Sequence, residues 1–235
     1  MGQMLIQDKE IVIPGDELAD GMDFIPSFGC YRDGNKIVAG KLGLLNIDGR
    51  LLKIIPLSGR YVPKKGDTII CSVIDVTFSG WRVDTNSAYS AMLNMKDAVS
   101  DFIERGADLT KYYDIGDYIV AKIINVTSQK LVDLTMKGPG LRTLEGGRII
   151  KVAPTKVPRI IGKQGSMVSM IKDATGCRII VGQNGLVWVQ GNPEQEIQAV
   201  DVIRKIEAEA HVSGLTDIIK EYLSNGKNKG VENGV

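Results

Sequence analysis

The stretch PRIIGKQGSMVSMIKDATG, residues 158–176, has a spacing that points directly to a ligand. Gly162 and Gly165 enclose Lys163 and Gln164, and the following residues have the spacing of an amphipathic helix. Glycine lets the backbone pass close to another molecule, whereas it destabilises the interior of a helix. The two glycines therefore predict a ligand at the start of the helix.

Basic side chains gather around this loop, although the formal net charge of the whole chain is only +1. Between residues 142 and 178 only Glu145 and Asp173 are acidic, against eight basic residues: Arg142, Arg148, Lys151, Lys156, Arg159, Lys163, Lys172 and Arg178. Such a local excess is expected if the ligand carries phosphates. A solvated charged surface is the alternative explanation.

The elements around the loop follow the order strand, helix, glycine loop, helix, strand, strand, helix. RIIKVAP is strand-like, Thr175-Gly176 closes the second helix, Asn184-Gly185 turns a hairpin, and the last helix starts at Asn192-Pro193. Apolar residues recur along that helix at Ile197, Val200, Ile203, Ile206 and Ala210.

This order predicts a KH domain over residues 145–212, whose GxxG loop holds about four unpaired nucleotides. The predicted RNA contacts are Arg159, Gly162, Lys163, Gln164, Gly165 and Ser166. The spacing alone is weak evidence, because Gly182 and Gly185 repeat it in the hairpin; the longer pattern, with its internal cation and later Thr-Gly, is specific. A helix-turn-helix motif or a nucleotide-binding loop is the alternative.

Residues 61–140 contain an imperfect internal repeat, GDTIICSVIDV from Gly66 and GDYIVAKIINV from Gly116. With GWRVDTNSA, YSAMLNM and QKLVDLTM they predict five strands, and the partly helical segment DAVSDFIERGADLTKYYD falls between the third and the fourth. This is the order of an OB-fold barrel, a fold that often binds single-stranded nucleic acid. Candidate RNA contacts are Phe78, Trp81, Arg82, Tyr89 and Lys111, although the aromatic residues could equally fill the barrel core.

Residues 1–60 consist of short apolar runs separated by turn dipeptides such as Asp33-Gly34 and Asp48-Gly49, which predicts a small all-β anchoring domain. Residues 213–235 predict a C-terminal helix and a disordered tail that begins at NGKNKGVENGV. The expected fold class is a β-rich, multidomain protein: an all-β unit, a five-stranded barrel and an α+β KH domain.

The residues that usually perform catalysis are sparse, which favours a binding protein. The only histidine, His211, has no obvious acid or nucleophile partner, and the three cysteines lie far apart without metal-ligand spacing. We therefore expect no catalytic residue, metal or cofactor. No apolar run reaches the roughly 18 residues of a membrane span, and MGQMLIQDKE is unlike a signal peptide, so we expect a cytoplasmic protein without a membrane partner.

The order of β unit, OB-fold and KH domain resembles the RNA-binding cap subunit of the archaeal exosome. The similarity is carried by GDTIICSVIDVTFSGWRVDTNSAYSAML in the barrel and by RIIGKQGSMVSMIKDATGC and VGQNGLVWVQG in the KH domain. The resemblance implies a non-catalytic protein, three copies of which sit on a hexameric ring of catalytic and non-catalytic RNase PH-like subunits. Single-stranded RNA would pass between the OB-folds to phosphorolytic sites in the ring.

Two other classes combine the same modules. Polynucleotide phosphorylase places KH and OB modules after two catalytic domains and in reverse order, and this chain has no room for those domains. A NusA-like transcription or translation-associated factor also places an OB-fold before KH modules, but it carries two KH units of permuted topology. The NusA-like factor is the alternative function.

Overall fold

The computed structural model describes residues 2–99, 103–104, 106–212 and 214–229. The chain forms two compact units, residues 1–59 and 60–235. The first is all-β, and the second contains both the barrel and the KH domain, which confirms the predicted fold class.

The N-terminal unit consists of eight short strands in two four-stranded sheets. The strands are β1 (Gln3–Met4), β2 (Ile11–Val12), β3 (Glu17–Asp20), β4 (Ile25–Pro26), β5 (Cys30–Asp33), β6 (Lys36–Ala39), β7 (Gly43–Asp48) and β8 (Leu51–Pro56). One sheet has the order β1-β3-β6-β5 and the other β2-β7-β8-β4. The predicted turns after Asp33 and Asp48 join β5 to β6 and β7 to β8, and Gly34 and Gly49 supply the left-handed backbone these tight turns need.

The predicted barrel is closed by five strands, β9 (Thr68–Thr77), β10 (Gly80–Asp84), β11 (Ser90–Asn94), β12 (Tyr118–Val126) and β13 (Val132–Thr135). β13 pairs with both β11 and β12, which completes the ring. The insertion between β11 and β12 contains the short helix α1 (Met95–Ala98) and a 3-10 helix (Leu109–Lys111), while its residues 100–102 and 105 lie outside the described residues. A further strand, β14 (Arg142–Leu144), pairs with β12; the sequence had not predicted it.

The KH domain has the predicted order of elements. A three-stranded sheet is formed by β15 (Arg148–Lys151), β17 (Leu186–Gln190) and β16 (Arg178–Val181), in that spatial order. The helices are α2 (Val157–Ile161), α3 (Ser166–Thr175), α4 (Pro193–Ala208) and α5 (Leu215–Lys229), with 3-10 turns at Pro154–Lys156 and Lys163–Gly165.

Two details of the KH helices differ from the sequence prediction. Ile197 is half exposed, because the buried face of α4 consists of Ala199, Val202, Ile203 and Ile206. The helix α5 packs on the KH core through Leu215, Ile219 and Leu223 and continues to Lys229, so it includes the first residues of the predicted tail. The remainder of that tail, residues 230–235, lies outside the described residues.

Both faces of the KH sheet are covered. One face packs on the helices through Ile150, Ile179, Val187 and Val189. The other packs on the barrel, where Leu186 and Trp188 join Ile70, Val120 and Leu144 in a second apolar cluster. This explains why the run Leu186–Val189 is apolar at every position, since successive side chains of a strand point to opposite faces.

Candidate nucleic-acid interface

The GxxG loop makes a sharp reversal between α2 and α3. Gly162 has φ 74° and ψ 177°, and a Cβ atom there would lie 2.7 Å from the Cβ and the backbone N of Met167. Only glycine therefore allows this approach of the loop to α3. Gln164 (φ 54°) and Gly165 (φ 81°) are both left-handed, and this conformation leaves Lys163 and Gln164 exposed at the tip of the loop.

The start of α3 presents backbone donors next to the loop. Gly165 occupies the N-cap position, so no side chain caps the N–H groups of the first turn. Such groups attract an anion, as does the positive end of the helix dipole. The exposed side chains of Arg159, Lys163 and Ser166 lie in or beside the same loop, so the structure brings all six predicted KH residues together.

The strand β16 contacts both helices that flank the loop, α2 and α3. It pairs only with β17 among the described strands, so one edge of β16 remains open. Ile161, Val168 and Val181 are only partly buried in the KH core. A surface with apolar side chains and a free strand edge can hold flat bases, while the glycine loop holds their phosphates.

The second GxxG sequence, Gly182–Gly185, has a different role. The predicted hairpin turn is present, but the Asn184 side chain is fully buried against the barrel. Its Nδ2 donates to the carbonyl oxygens of Ile70 at 2.6 Å and Thr85 at 2.8 Å, and its Oδ1 accepts from the Ile70 N–H at 3.3 Å. Asn184 therefore joins the KH hairpin to strands β9 and β10, a role that the turn signal did not reveal.

Trp81 is the one predicted contact that the structure contradicts. Its side chain is 0 % exposed, its indole N–H donates to the carbonyl of Tyr113 at 2.8 Å, and its ring meets the Tyr113 ring edge to face. A buried indole with a satisfied donor has no surface to offer a base. Trp81 is a core residue that fixes the insertion to the barrel.

The other barrel candidates do not form one patch. Phe78 is 93 % exposed in the turn between β9 and β10, whereas Tyr89 lies just before β11, at the opposite end of β10. Arg82 points outward from β10, but its Nη2 lies 3.5 Å from the Asp75 carboxylate. Of these three, Phe78 offers the freest surface for stacking.

Lys111 ends the 3-10 helix of the insertion, close to Asp108. The hydroxyl and the backbone N–H of Thr110 donate to Asp108 at 2.6 Å and 3.2 Å and hold the pKa of this carboxyl below its usual value. Asp108 therefore stays ionised beside Lys111. The negative charge of Asp108 reduces the positive potential that Lys111 can offer to a phosphate.

Within the described ranges, no group of three or more histidine, cysteine, aspartate or glutamate side chains is placed to hold a metal ion. Helices in the same part of the chain are too short or too polar to cross a bilayer.

Comparisons with known proteins agree with this architecture. A family model described as a KH domain matches residues 147–205, and a model of the N-terminal domain of the exosome RNA binding protein RRP4 matches residues 9–58. A solved structure described as an exosome complex RNA-binding protein superposes with a TM-score of 0.65 at 34% identity, over 72% of this chain and 98% of that one.

Curated relatives extend the similarity along the chain. The exosome complex component Rrp4 of Methanobrevibacter smithii is 45% identical over 219 residues, which cover 93% of this chain and 72% of the relative. The Rrp4 of Thermococcus kodakarensis is 44% identical over 239 residues, which cover 100% and 93%. Because such identity spans both compact units, the chain belongs to the Rrp4 family of exosome complex components.

Proposed function

We propose that this protein is a non-catalytic, RNA-binding cap of the archaeal exosome. It binds single-stranded RNA and passes the free 3′ end to a ring of RNase PH-like subunits, on which three copies of the cap sit. The observation that carries the proposal is the GxxG loop, where two left-handed residues expose Lys163 and Gln164 beside the uncapped start of α3. The names of the relatives and of the similar structure support the assembly.

The barrel and the KH domain would bind different parts of the same RNA strand. The KH groove holds about four nucleotides through the glycine loop, and the barrel contributes stacking through Phe78 and weaker contacts through Arg82, Tyr89 and Lys111. The apolar cluster between the two fixes their relative position, because Leu186 and Trp188 on the KH side pack against Ile70 and Val120 on the barrel side. Bound RNA would therefore meet both surfaces in one orientation.

The first prediction is that the pure protein binds single-stranded RNA without shortening it. End-labelled RNA incubated with the protein, phosphate and magnesium should stay at full length, and degradation should begin only when an RNase PH-like ring is added. The comparison is read on a denaturing gel. RNA shortening that follows this protein through every purification step would contradict a non-catalytic role.

The N-terminal unit carries an apolar surface suited to docking on the ring. Ile11 and Ile55 are 62 % and 50 % exposed, and both pair with Leu44, so the three lie in one row across the sheet. Exposed isoleucines that adjoin in one row are expected at protein interfaces. We propose that this row contacts the RNase PH-like subunits and anchors the cap.

The second prediction tests this anchor. The double variant Ile11→Asp and Ile55→Asp should fail to copurify with the ring, because burying two carboxylates in an apolar interface is costly. Deleting residues 1–59 should have the same effect. Both variants should keep RNA affinity.

The control carries Ile197→Asp and Tyr222→Asp, which are similarly exposed positions of the KH domain. This control should assemble normally. Copurification of the anchor variant at the level of the unaltered protein would place the anchor elsewhere, and copurification of RNA polymerase instead of the ring would favour the NusA-like alternative.

A further inference from the structure

The KH hairpin leads directly onto an exposed lysine of the barrel. The backbone N–H of Gln183 donates to the carbonyl of Thr68 at 2.9 Å, and Thr68 pairs with Lys122 across β9 and β12. Lys122 lies two residues after Val120 and so projects from the same barrel face. Because Val120 is buried beneath the KH sheet whereas Lys122 is exposed, Lys122 marks the border of the covered surface.

Strand pairing and backbone hydrogen bonds connect Lys122 to the segments that carry two more lysines, Lys137 and Lys96. Lys122 pairs with Thr135 at the end of β13, and Lys137 follows two residues later. Between them, the N–H of Met136 donates to the carbonyl of Asp97 at 2.8 Å, which brings this segment against α1. Lys96 is exposed on α1, next to Asp97.

This series of hydrogen-bonded segments, which we call the route, ends at Phe78. The N–H of Met95, the first residue of α1, donates to the carbonyl of Ser79 at 3.1 Å, and Ser79 follows Phe78 in the turn. A continuous series of backbone neighbours therefore joins the KH hairpin to Phe78, the most exposed aromatic ring among the described residues of the barrel.

The exposed charges along this route are positive, because its carboxylates, Asp67, Asp97 and Asp133, are partly buried. Lys122, Lys137 and Lys96 are all exposed, and within the described part of the chain none of them forms an ion pair. Asp97 is the carboxylate placed between Lys96 and Lys137, and it is partly buried. Three lysines set in succession and without carboxylate partners favour an extended polyanion.

We propose that RNA leaving the KH groove continues across the barrel along a lysine track, defined as Lys122, Lys137 and Lys96, and that a base stacks on Phe78 at its end. The lysines contact phosphates and Phe78 contacts a base, the combination by which proteins hold single strands without reading sequence. This inference rests on the proposed RNA-binding function and extends the barrel contact proposed there for Phe78 into a continuous path from the KH groove. The KH groove holds four nucleotides, so only longer RNA reaches the track.

The test compares a tetranucleotide with a dodecanucleotide, both single-stranded, on the full chain at several salt concentrations. Replacing the three track lysines by glutamine should weaken dodecanucleotide binding at least tenfold and lower the slope of log affinity against log salt by about two, since each single-strand phosphate contact contributes about 0.7. Tetranucleotide binding should not change. Phe78→Ala should weaken dodecanucleotide binding about fivefold or more without changing the slope, because stacking releases no counterions.

The control replaces Lys9, Lys130 and Lys220 by glutamine, three exposed lysines that are not part of the track. It should bind both RNAs as the unaltered protein does. Equal losses in the track and control variants, or a track variant that keeps dodecanucleotide affinity, would overturn the lysine track while leaving the KH groove in place. An unaltered protein that binds neither RNA would contradict the proposed function and the track together.

Discussion

Replacing Lys163 and Gln164 by aspartate should weaken the binding of single-stranded RNA at least tenfold, about 1.4 kcal/mol. The change removes a cation and places two carboxylates at the exposed tip of the loop, where phosphates should lie. Folding should survive, because both glycines remain and because aspartate adopts the left-handed conformation of residue 164 more readily than most residues. Titration of labelled RNA at low salt, where the phosphate contribution is greatest, gives the clearest measurement.

A matched control is available on α5. Thr216→Asp with Lys220→Asp changes the net charge by the same amount at two exposed positions of the KH domain. Gln183 and Asn184, the corresponding pair of the second GxxG sequence, are unsuitable as a control because Asn184 is buried. A loss of RNA affinity on α5 as large as the loss at the loop would show that net charge, and not the loop, governs binding.

Asn184→Ala should lower the free energy of unfolding of the second compact unit by about 3–5 kcal/mol. The substitution leaves three buried backbone groups of Ile70 and Thr85 without partners, and each such group costs about 1–3 kcal/mol. It also opens a gap in the contact between the hairpin and the barrel. Urea denaturation followed by tryptophan fluorescence measures the change, since Trp188 lies in the interface and Trp81 in the barrel core.

The neighbouring residue serves as the control. Gln183 joins the same contact only through its backbone N–H, and its side chain is exposed. Gln183→Ala should therefore change stability by less than about 0.5 kcal/mol. If the two alanine variants unfold at the same urea concentration, the Asn184 side chain does not secure the hairpin to the barrel.

The sequence predicted those features whose signals are local. The GxxG loop, the hairpin at Asn184-Gly185 and the helix start at Asn192-Pro193 depend on backbone preferences of a few adjacent residues, and each is present. The five barrel strands were also predicted from a local signal. Their alternation of apolar and polar residues indicates strands with one face buried. The RNA contacts assigned to these elements remain predictions.

The sequence did not predict the features that depend on contacts between elements distant in the sequence. Trp81 has the same sequence signal whether its ring stacks on a base or fills a core. The complete burial of its side chain and its hydrogen bond to Tyr113 distinguish the two. Asparagine before glycine is typical of an exposed turn, although here the Asn184 side chain is buried and joins the hairpin to the barrel. The proposed lysine track joins residues from β12, from the segment after β13 and from α1, which are separate in the sequence and adjoin only once the barrel closes.

The strand β17 also limits how this protein can evolve. Because its two faces are buried by different partners, a gene segment coding for residues 145–212 alone would produce a domain that presents Leu186 and Trp188 to water. Recombination that moved this KH domain to another protein would have to supply a new cover for that face or replace its apolar side chains by polar ones. Barrel and KH domain are therefore expected to be inherited together as one evolutionary module.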